Sequence, residues 1–129
     1  MKYLKMEEVI LIHDELFKGY GGMSCIRDFG LLSSAISIPC QSFGGHELHP
    51  KIMEKAAAYL YHIIKNHPFI DGNKRSGVVS FLFFLDNNDV NTSFNDDFLF
   101  NLAIDIEKNF VNKTEVIFLL EEYFDKIIT

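Results

Sequence analysis

Apolar residues recur at spacings of three and four along much of the chain, which is the period of an amphipathic helix. The first such stretch covers residues 6–18, and glycines at positions 19, 21 and 22 are expected to end it. A second helix is expected to begin at Asp28, which can cap it, and to end near Pro39. Two more amphipathic helices are predicted over 96–109 and 113–126, where Asn112 and Glu115 have the spacing of a capping box.

Two stretches between these helices, residues 50–66 and 72–87, are apolar almost all round. Helices of that kind lie in the centre of a domain, because no face of them suits solvent. Strand-like alternation is absent from the sequence, so the pattern predicts an all-α fold. The one expected exception is the loop over 39–49, where Gly44 and Gly45 can turn a short β-hairpin.

Composition fits one compact unit. With 129 residues, 48% of them hydrophobic, the chain can build one packed core, so we predict a single domain over residues 1–129. The net charge is −6, and residues 86–129 hold 3 Lys or Arg against 10 Asp or Glu. An acidic balance argues against direct nucleic-acid binding and against binding to an anionic membrane as the main activity.

Cysteine usage and the N-terminal sequence favour a cytoplasmic location. Cys25 and Cys40 are too few for a disulfide framework, so both are expected to be reduced. Charged residues interrupt the first eight positions, which is not the pattern of a signal peptide. The longest apolar run, 78–85, is far below the roughly 20 residues that a membrane span needs.

The bend between the two central helices concentrates the candidate chemistry. It reads His-Pro-Phe-Ile-Asp-Gly-Asn-Lys-Arg from His67 to Arg75. Main-chain N–H groups at a helix start lack partners, and the helix dipole adds partial positive charge there, so this position suits a phosphate group. Lys74 and Arg75 add full charges, and His67 offers an imidazole that can take a proton from an attacking hydroxyl.

Four other residues of the bend have predicted roles, and two of them, Asp71 and Asn73, admit more than one interpretation. Asp71 can cap the following helix or hold a Mg²⁺ ion that bridges phosphates, and the adjacent cations favour the metal. Gly72 permits positive φ and a close backbone approach. Asn73 can present its amide to a phosphate oxygen, stabilise the loop, or do both. Phe69 is expected to be a core residue that pins the loop.

The residues from His67 to Arg75 resemble the signature of the Fic/Doc family, His-Pro-Phe-x-[Asp/Glu]-Gly-Asn-[Gly/Lys]-Arg. The segments 26–32, 43–45 and 54–57 resemble the death-on-curing branch of that family. The resemblance implies a compact helical fold in which His67 is the base and Asp71 holds Mg²⁺. It also implies that Gly72, Asn73, Lys74 and Arg75 bind nucleotide phosphates. The resemblance also implies a flap that positions the target chain, which would correspond to Phe43, Gly44 and Gly45.

Two positions separate the branches of the family. AMP-transferring Fic enzymes generally have Gly where this chain has Lys74, and an additional Arg where it has Val78. A Lys side chain fills space that Gly leaves open, so the same nucleotide pose is not expected. The resemblance to the Doc branch therefore implies transfer of the γ-phosphate of ATP, with AMP transfer as the alternative. The best-known member of the Doc branch often has Ala at the position of Gly72, and a residue other than Pro after the histidine that corresponds to His67.

The same resemblance implies partners. It points to a Ser or Thr hydroxyl of a translation factor, elongation factor Tu, as the target. It also implies a Phd-like antitoxin whose disordered tail folds into a groove on the toxin, lined by exposed Phe or Leu of an outer helix. The string Ser/Thr-x-x-x-Glu-Gly/Asn, which silences many Fic enzymes, does not occur in the sequence.

Two rival functions stay open at this point. A metal hydrolase is suggested by the dipeptide His13-Asp14 and by the spacing of His46 and His49, although such a dipeptide on an amphipathic helix is usually a polar pair facing solvent. The second rival is a non-catalytic module that senses nucleotide or binds a partner, in which His67 is merely structural.

Overall fold

The computed structural model describes residues 1–18 and 25–128. These residues form six α-helices and one antiparallel hairpin: α1 (Met6–Leu16), α2 (Phe29–Ser37), β1 (Ser42–Phe43), β2 (His46–Glu47), α3 (Ile52–Asn66), α4 (Asn73–Asn87), α5 (Asp96–Glu107) and α6 (Lys113–Ile128). A single 3-10 turn over Ile38–Cys40 follows α2. The predicted all-α class with a short hairpin is confirmed.

Helix α3 is the centre of the core. It packs against α2, α4, α5 and α6, and nine of its fifteen residues are buried. The closest approach is to α4, where a Cβ added at Gly77 would lie 3.0 Å from the Ile64 side chain and 3.3 Å from the Leu60 carbonyl oxygen. The two predicted central helices are therefore confirmed, and the loop between them starts and ends on buried structure.

Helix ends follow the sequence signals closely. The Asp28 carboxylate accepts a hydrogen bond from the Leu31 N–H at 2.9 Å, and Asn112 and Glu115 exchange the two bonds of a capping box at 2.8 and 2.9 Å. Helix α1 ends at Leu16, two residues before the predicted boundary. The three glycines expected to end it lie at 19, 21 and 22, outside the described residues.

The hairpin is tied to the core by a buried lysine. Gly44 and Gly45 have φ of 58° and 82°, which a two-residue turn of this kind requires. Lys55 of α3 is 1% exposed, and its ammonium donates to the Glu47 carboxylate at 3.2 Å and to the His49 carbonyl. The sequence pattern did not predict this burial. Because the charge has two acceptors, Lys55 fixes the hairpin against the start of α3.

No helix among the described residues is long and apolar enough to cross a membrane. Cys25 is buried and Cys40 is exposed, and neither forms a disulfide, as predicted.

Candidate functional site

The loop between α3 and α4 begins at His67, which adopts a left-handed conformation with φ 50° and ψ 53°. The predicted end of α3 before Pro68 is confirmed. Arg27 holds this corner, because its guanidinium donates to the carbonyls of Asn66 at 3.0 Å and His67 at 2.7 Å. These carbonyls belong to the last turn of α3 and have no partner within the helix. The exposed His67 side chain therefore projects from an anchored backbone.

A second chain segment holds the middle of the loop. Ile26 and Phe69 form an antiparallel bridge, in which the Arg27 N–H donates to the Pro68 carbonyl at 2.7 Å and the Ile70 N–H donates to the Cys25 carbonyl at 2.9 Å. Phe69 is completely buried, which confirms its predicted role as a core residue.

Asn73 closes the loop from inside. Its side-chain oxygen accepts the Phe69 N–H at 2.9 Å, and its side-chain nitrogen donates to the Phe69 carbonyl at 3.0 Å. Asn73 is 3% exposed, so both bonds are shielded from water. Of its two predicted roles, the structure shows loop stabilisation for the side chain. The main-chain N–H of Asn73, at the first position of α4, is the group that can still serve a phosphate.

Gly72 is the N-cap of α4, with φ 80°. The carboxylate of Asp71 accepts the Gly72 N–H at 2.8 Å, so Asp71 precedes the cap and does not itself cap α4. Glycine is also required by space, because a Cβ at position 72 would lie 2.2 Å from Cε2 of Phe17. The Phe17 ring thus occupies the volume that an alanine methyl group at position 72 would need.

A pocket of about 240 Å³ opens at the start of α4. Liquid water occupies roughly 30 Å³ per molecule, so the pocket has room for linked phosphoryl groups. It is lined by all six residues that the sequence predicted for catalysis and nucleotide binding, together with Phe17 and Glu107: His67, Asp71, Gly72, Asn73, Lys74 and Arg75. The predicted flap residues Phe43, Gly44 and Gly45 do not line it. Phe43 is 81% exposed at the hairpin.

Charges of both signs meet in the pocket. The ammonium of Lys74 lies 3.0 Å from both carboxylate oxygens of Glu107, the last residue of α5. The Arg75 guanidinium lies 5.6 Å from the centre of the Phe17 ring, a cation–π distance. The first turn of α4 contains no acidic residue, so no side chain of that turn neutralises the positive end of the helix.

The metal-ligand role predicted for Asp71 fits its surroundings. Asp71 is exposed at the edge of the pocket, beside the cations that would hold phosphates. Mg²⁺ is commonly bound by one or two carboxylates together with substrate phosphates. In the described part of the chain, no group of three or more His, Cys, Asp or Glu side chains could hold a metal by itself. A metal delivered with a nucleotide suits this donor set.

The histidines of the hydrolase alternative do not come together as a metal centre. His46 is exposed in β2, while His49 is 6% exposed. The solvent-facing interpretation of His13 is wrong, because His13 is 3% exposed and its Nε2 lies 2.9 Å from the Asp71 carbonyl oxygen. The predicted site therefore has a support on α1 that the sequence interpretation missed.

Comparison with known proteins agrees with this geometry. Residues 3–85 match the model of the Fic/DOC family. The chain is 37% identical over 75 residues to Toxin Doc of Mycolicibacterium smegmatis, which covers 58% of this chain and 55% of that protein. It is 33% identical over 90 residues to Protein kinase doc of Escherichia phage P1, covering 70% of this chain and 71% of that protein. The chain thus spans only about half the length of the first of these relatives.

The family match covers well over half of the residues and includes the whole pocket-forming loop. With the bend, the two central helices and the hairpin all in place, the chain belongs to the Fic/Doc family.

Proposed function

We propose that this protein is a Doc-type toxin that transfers the γ-phosphate of ATP to a Ser or Thr hydroxyl of a translation factor. The observation that carries this proposal is the pocket at the start of α4, where His67 and Asp71 border the same space as Lys74 and Arg75. A base and an anion site within one pocket are what phosphoryl transfer to a hydroxyl requires. The name of the phage relative, Protein kinase doc, supports transfer of phosphate.

The chain's own residues account for the chemical step. The N-terminal amides of α4 and the side chains of Lys74 and Arg75 hold the phosphates. A ring nitrogen of His67 takes the proton of the target hydroxyl as its oxygen bonds to the γ-phosphorus. The bond between that phosphorus and the β–γ bridging oxygen breaks, and ADP leaves with the electron pair.

Asp71 would hold Mg²⁺, and the ion would neutralise charge on the phosphate oxygens when bound. Because the Asp71 carboxylate already accepts the Gly72 N–H, its orientation is set before any ligand arrives. This arrangement limits the reorganisation that binding must bring about.

Lys74 has a competing partner before nucleotide binds. Its contact with Glu107 is a half-exposed ion pair, with both side chains 38% exposed. Pairs of that exposure are worth only about 0 to 1 kcal/mol. A triphosphate, which carries several negative charges, can therefore take Lys74 from Glu107.

The proposed partners follow from the family. We assign the antitoxin tail to an apolar groove of about 310 Å³ between α1 and α4, lined by Leu11, Leu16, Val79 and Phe83 among others. Leu11 is 59% exposed, a large value for a leucine. Glu8 and Glu15 border the same groove. An antitoxin helix whose apolar anchors are flanked by Lys or Arg therefore fits it, because its positive charges would meet these carboxylates. Elongation factor Tu is the proposed target. The absence of a disulfide between Cys25 and Cys40 suits the reducing cytoplasm as the proposed location.

The test is phosphate transfer from γ-labelled ATP to purified elongation factor Tu, comparing the native chain with His67→Ala. We expect label on the factor with the native chain and at least a hundredfold less with the variant, because general base catalysis contributes about 10² to 10⁴ in rate. Lys74→Ala should also fail at ordinary ATP concentrations. Lys108→Ala, at an exposed lysine outside the pocket, is its matched control and should transfer normally.

Three results would count against the proposal. Equal labelling by the native chain and His67→Ala would remove the histidine as base and favour a non-catalytic module. Label from α-labelled ATP in place of γ-labelled ATP would show AMP transfer. Equal loss in the Lys74 and Lys108 variants would show that the pocket does not select the phosphates.

A further inference from the structure

His13 lies 58 residues before the Asp71 carbonyl that it contacts, and α1 carries it into the wall of the pocket loop. The imidazole ring stacks on Phe69, with ring centres 4.0 Å apart and planes inclined by 10°. On the other side lies Phe17, at 4.9 Å and 29°. Two aromatic neighbours and 3% exposure leave the ring little freedom to turn.

The hydrogen bond of His13 defines its protonation pattern. Nε2 lies 2.9 Å from the Asp71 carbonyl oxygen, and a carbonyl oxygen can only accept. Nε2 must therefore carry the proton. Nδ1 is buried with no hydrogen-bond partner, so Nε2 provides the only polar contact of this ring in the described structure.

The position of this bond matters because of what shares its peptide group. The Asp71 carbonyl and the Gly72 N–H belong to one planar peptide unit. His13 holds the oxygen of that unit at 2.9 Å, and the Asp71 carboxylate holds its N–H at 2.8 Å. A rotation of the peptide plane would break both bonds, so the direction of the carboxylate depends on the histidine.

Phe17, the residue that follows α1 and lies four residues after His13, supports the same peptide. Its ring packs so closely on Gly72 that a Cβ there would lie 2.2 Å away. His13 in the last turn of α1 and Phe17 directly after it thus fix both the carbonyl before the N-cap and the N-cap itself.

We propose that His13 is a positioning residue, which aims the Asp71 carboxylate by holding the peptide between Asp71 and Gly72. This inference rests on the proposed function, in which Asp71 receives the Mg²⁺ that accompanies ATP. His13 does not touch substrate in this arrangement. It sets how strongly Mg²⁺ promotes nucleotide binding.

Three variants separate the hydrogen bond from the packing. His13→Phe keeps a stacked ring and removes the donor. His13→Gln keeps a side-chain N–H that can reach the same carbonyl. Asp71→Asn removes the metal-binding charge while keeping an oxygen for the Gly72 N–H.

The first measurement is the affinity for a non-hydrolysable ATP analogue, by calorimetry, with Mg²⁺ and with chelator. We expect Mg²⁺ to enhance binding by the native chain, and His13→Phe to lower that enhancement about tenfold, as for other residues that orient metal ligands. His13→Gln should stay within about threefold of the native chain, a difference of about 0.7 kcal/mol or less. In an Asp71→Asn background, His13→Phe should have no further effect, because the residue acts through that carboxylate.

The second measurement does not depend on nucleotide. The amide resonance of Gly72 in the ¹H–¹⁵N spectrum should shift or broaden in His13→Phe and keep its native position in His13→Gln. If His13→Phe does not fold, His13→Met, which is similar in size and lacks the donor, gives the same comparisons.

The outcomes separate the positioning role of His13 from the proposed phosphate transfer. An unchanged Mg²⁺ enhancement and an unchanged Gly72 resonance in the donor-free variant would overturn the positioning role, even where phosphate transfer by the native chain is active. A native chain that binds the analogue with the expected Mg²⁺ pattern but labels no target would instead overturn the proposed transfer and leave His13 in its role.

Discussion

Replacing Asn73 with Ala tests whether the Asn73 side chain mainly stabilises the loop or mainly binds a phosphate. Asn73 makes two hydrogen bonds to the main chain of Phe69, at 2.9 and 3.0 Å, and both residues are buried. No other hydrogen bond to these two main-chain groups is present in the described structure. Alanine therefore leaves one N–H and one C=O unpaired and buried.

The expected cost follows from those two groups. A buried donor or acceptor left without a partner costs about 1 to 3 kcal/mol. We expect Asn73→Ala to lower the free energy of unfolding by about 2 to 6 kcal/mol. For a chain of 129 residues, 1 kcal/mol corresponds to about 3 to 5 °C, so Tm should fall by about 6 °C or more.

Urea and thermal denaturation, followed by circular dichroism, measure this change. Asn101→Ala is the matched control, because Asn101 is exposed on α5 and alanine favours a helix. The control should unfold like the native chain or slightly later. A loss below about 1 kcal/mol in Asn73→Ala, accompanied by weaker nucleotide binding, would refute this reasoning. That result would show that the Asn73 amide is a phosphate ligand first.

Three further predictions concern charge, pH and space. Glu107→Gln removes a carboxylate that lines the pocket and contacts Lys74 at 3.0 Å. Removing a like charge roughly 7 Å from a phosphate is worth roughly 0.6 to 1.2 kcal/mol at an effective dielectric constant of about 80 to 40, so the KM for ATP should fall about three- to eightfold; a rise in KM would show that Glu107 positions Lys74 productively. Burial, with positive charge nearby, lowers the pKa of His62 from 6.5 to about 4. Stability should therefore be lost as pH falls from about 6.5 toward 4, by up to about 1.4 kcal/mol per pH unit, and His62→Gln should flatten this slope in urea denaturation; equal slopes would contradict the burial. Gly72→Ala should destabilise the fold by about 1 to 3 kcal/mol, through positive φ and the clash with Phe17, and a native Tm would show that the ring moves aside at no cost.

Most of the predictable features of the fold came from signals between residues that are close in sequence. The absence of a polar face on α3 and α4 identified the two central helices, and Asp28 and Asn112 marked helix starts because capping acts over three residues. The hairpin was predictable because the Gly44-Gly45 pair suits positive φ at both turn positions. Each of these signals involves neighbours in sequence.

Most of the candidate site was predictable because its residues are neighbours in sequence. The residues that were missed reach the site from distant parts of the chain. His67 to Arg75 are contiguous, so one motif contains them. Glu107 reaches Lys74 from 33 residues away, and nothing in the α5 sequence distinguishes it from other acidic residues on that helix. Arg27 lies in a segment that resembles the family, but its contacts with the loop were not predictable, because its carbonyl partners lie at the end of another helix.

His13 shows how a signal can be present and misread. It follows the buried Val9 by four residues, so both lie on one face of α1, and it precedes Phe17, the residue after the helix, by four. That spacing favoured burial. The polar pair with Asp14 suggested solvent instead, and only the carbonyl of Asp71 explains why a histidine is tolerated inside.

The most direct test of the proposed activity is the intact mass of purified elongation factor Tu after incubation with the chain, ATP and Mg²⁺. We predict a gain of one phosphoryl group, on a Ser or Thr side chain, that disappears when His67→Ala replaces the native chain. A gain of an AMP moiety, or an unchanged mass with chain that binds nucleotide, would contradict γ-phosphate transfer to this factor.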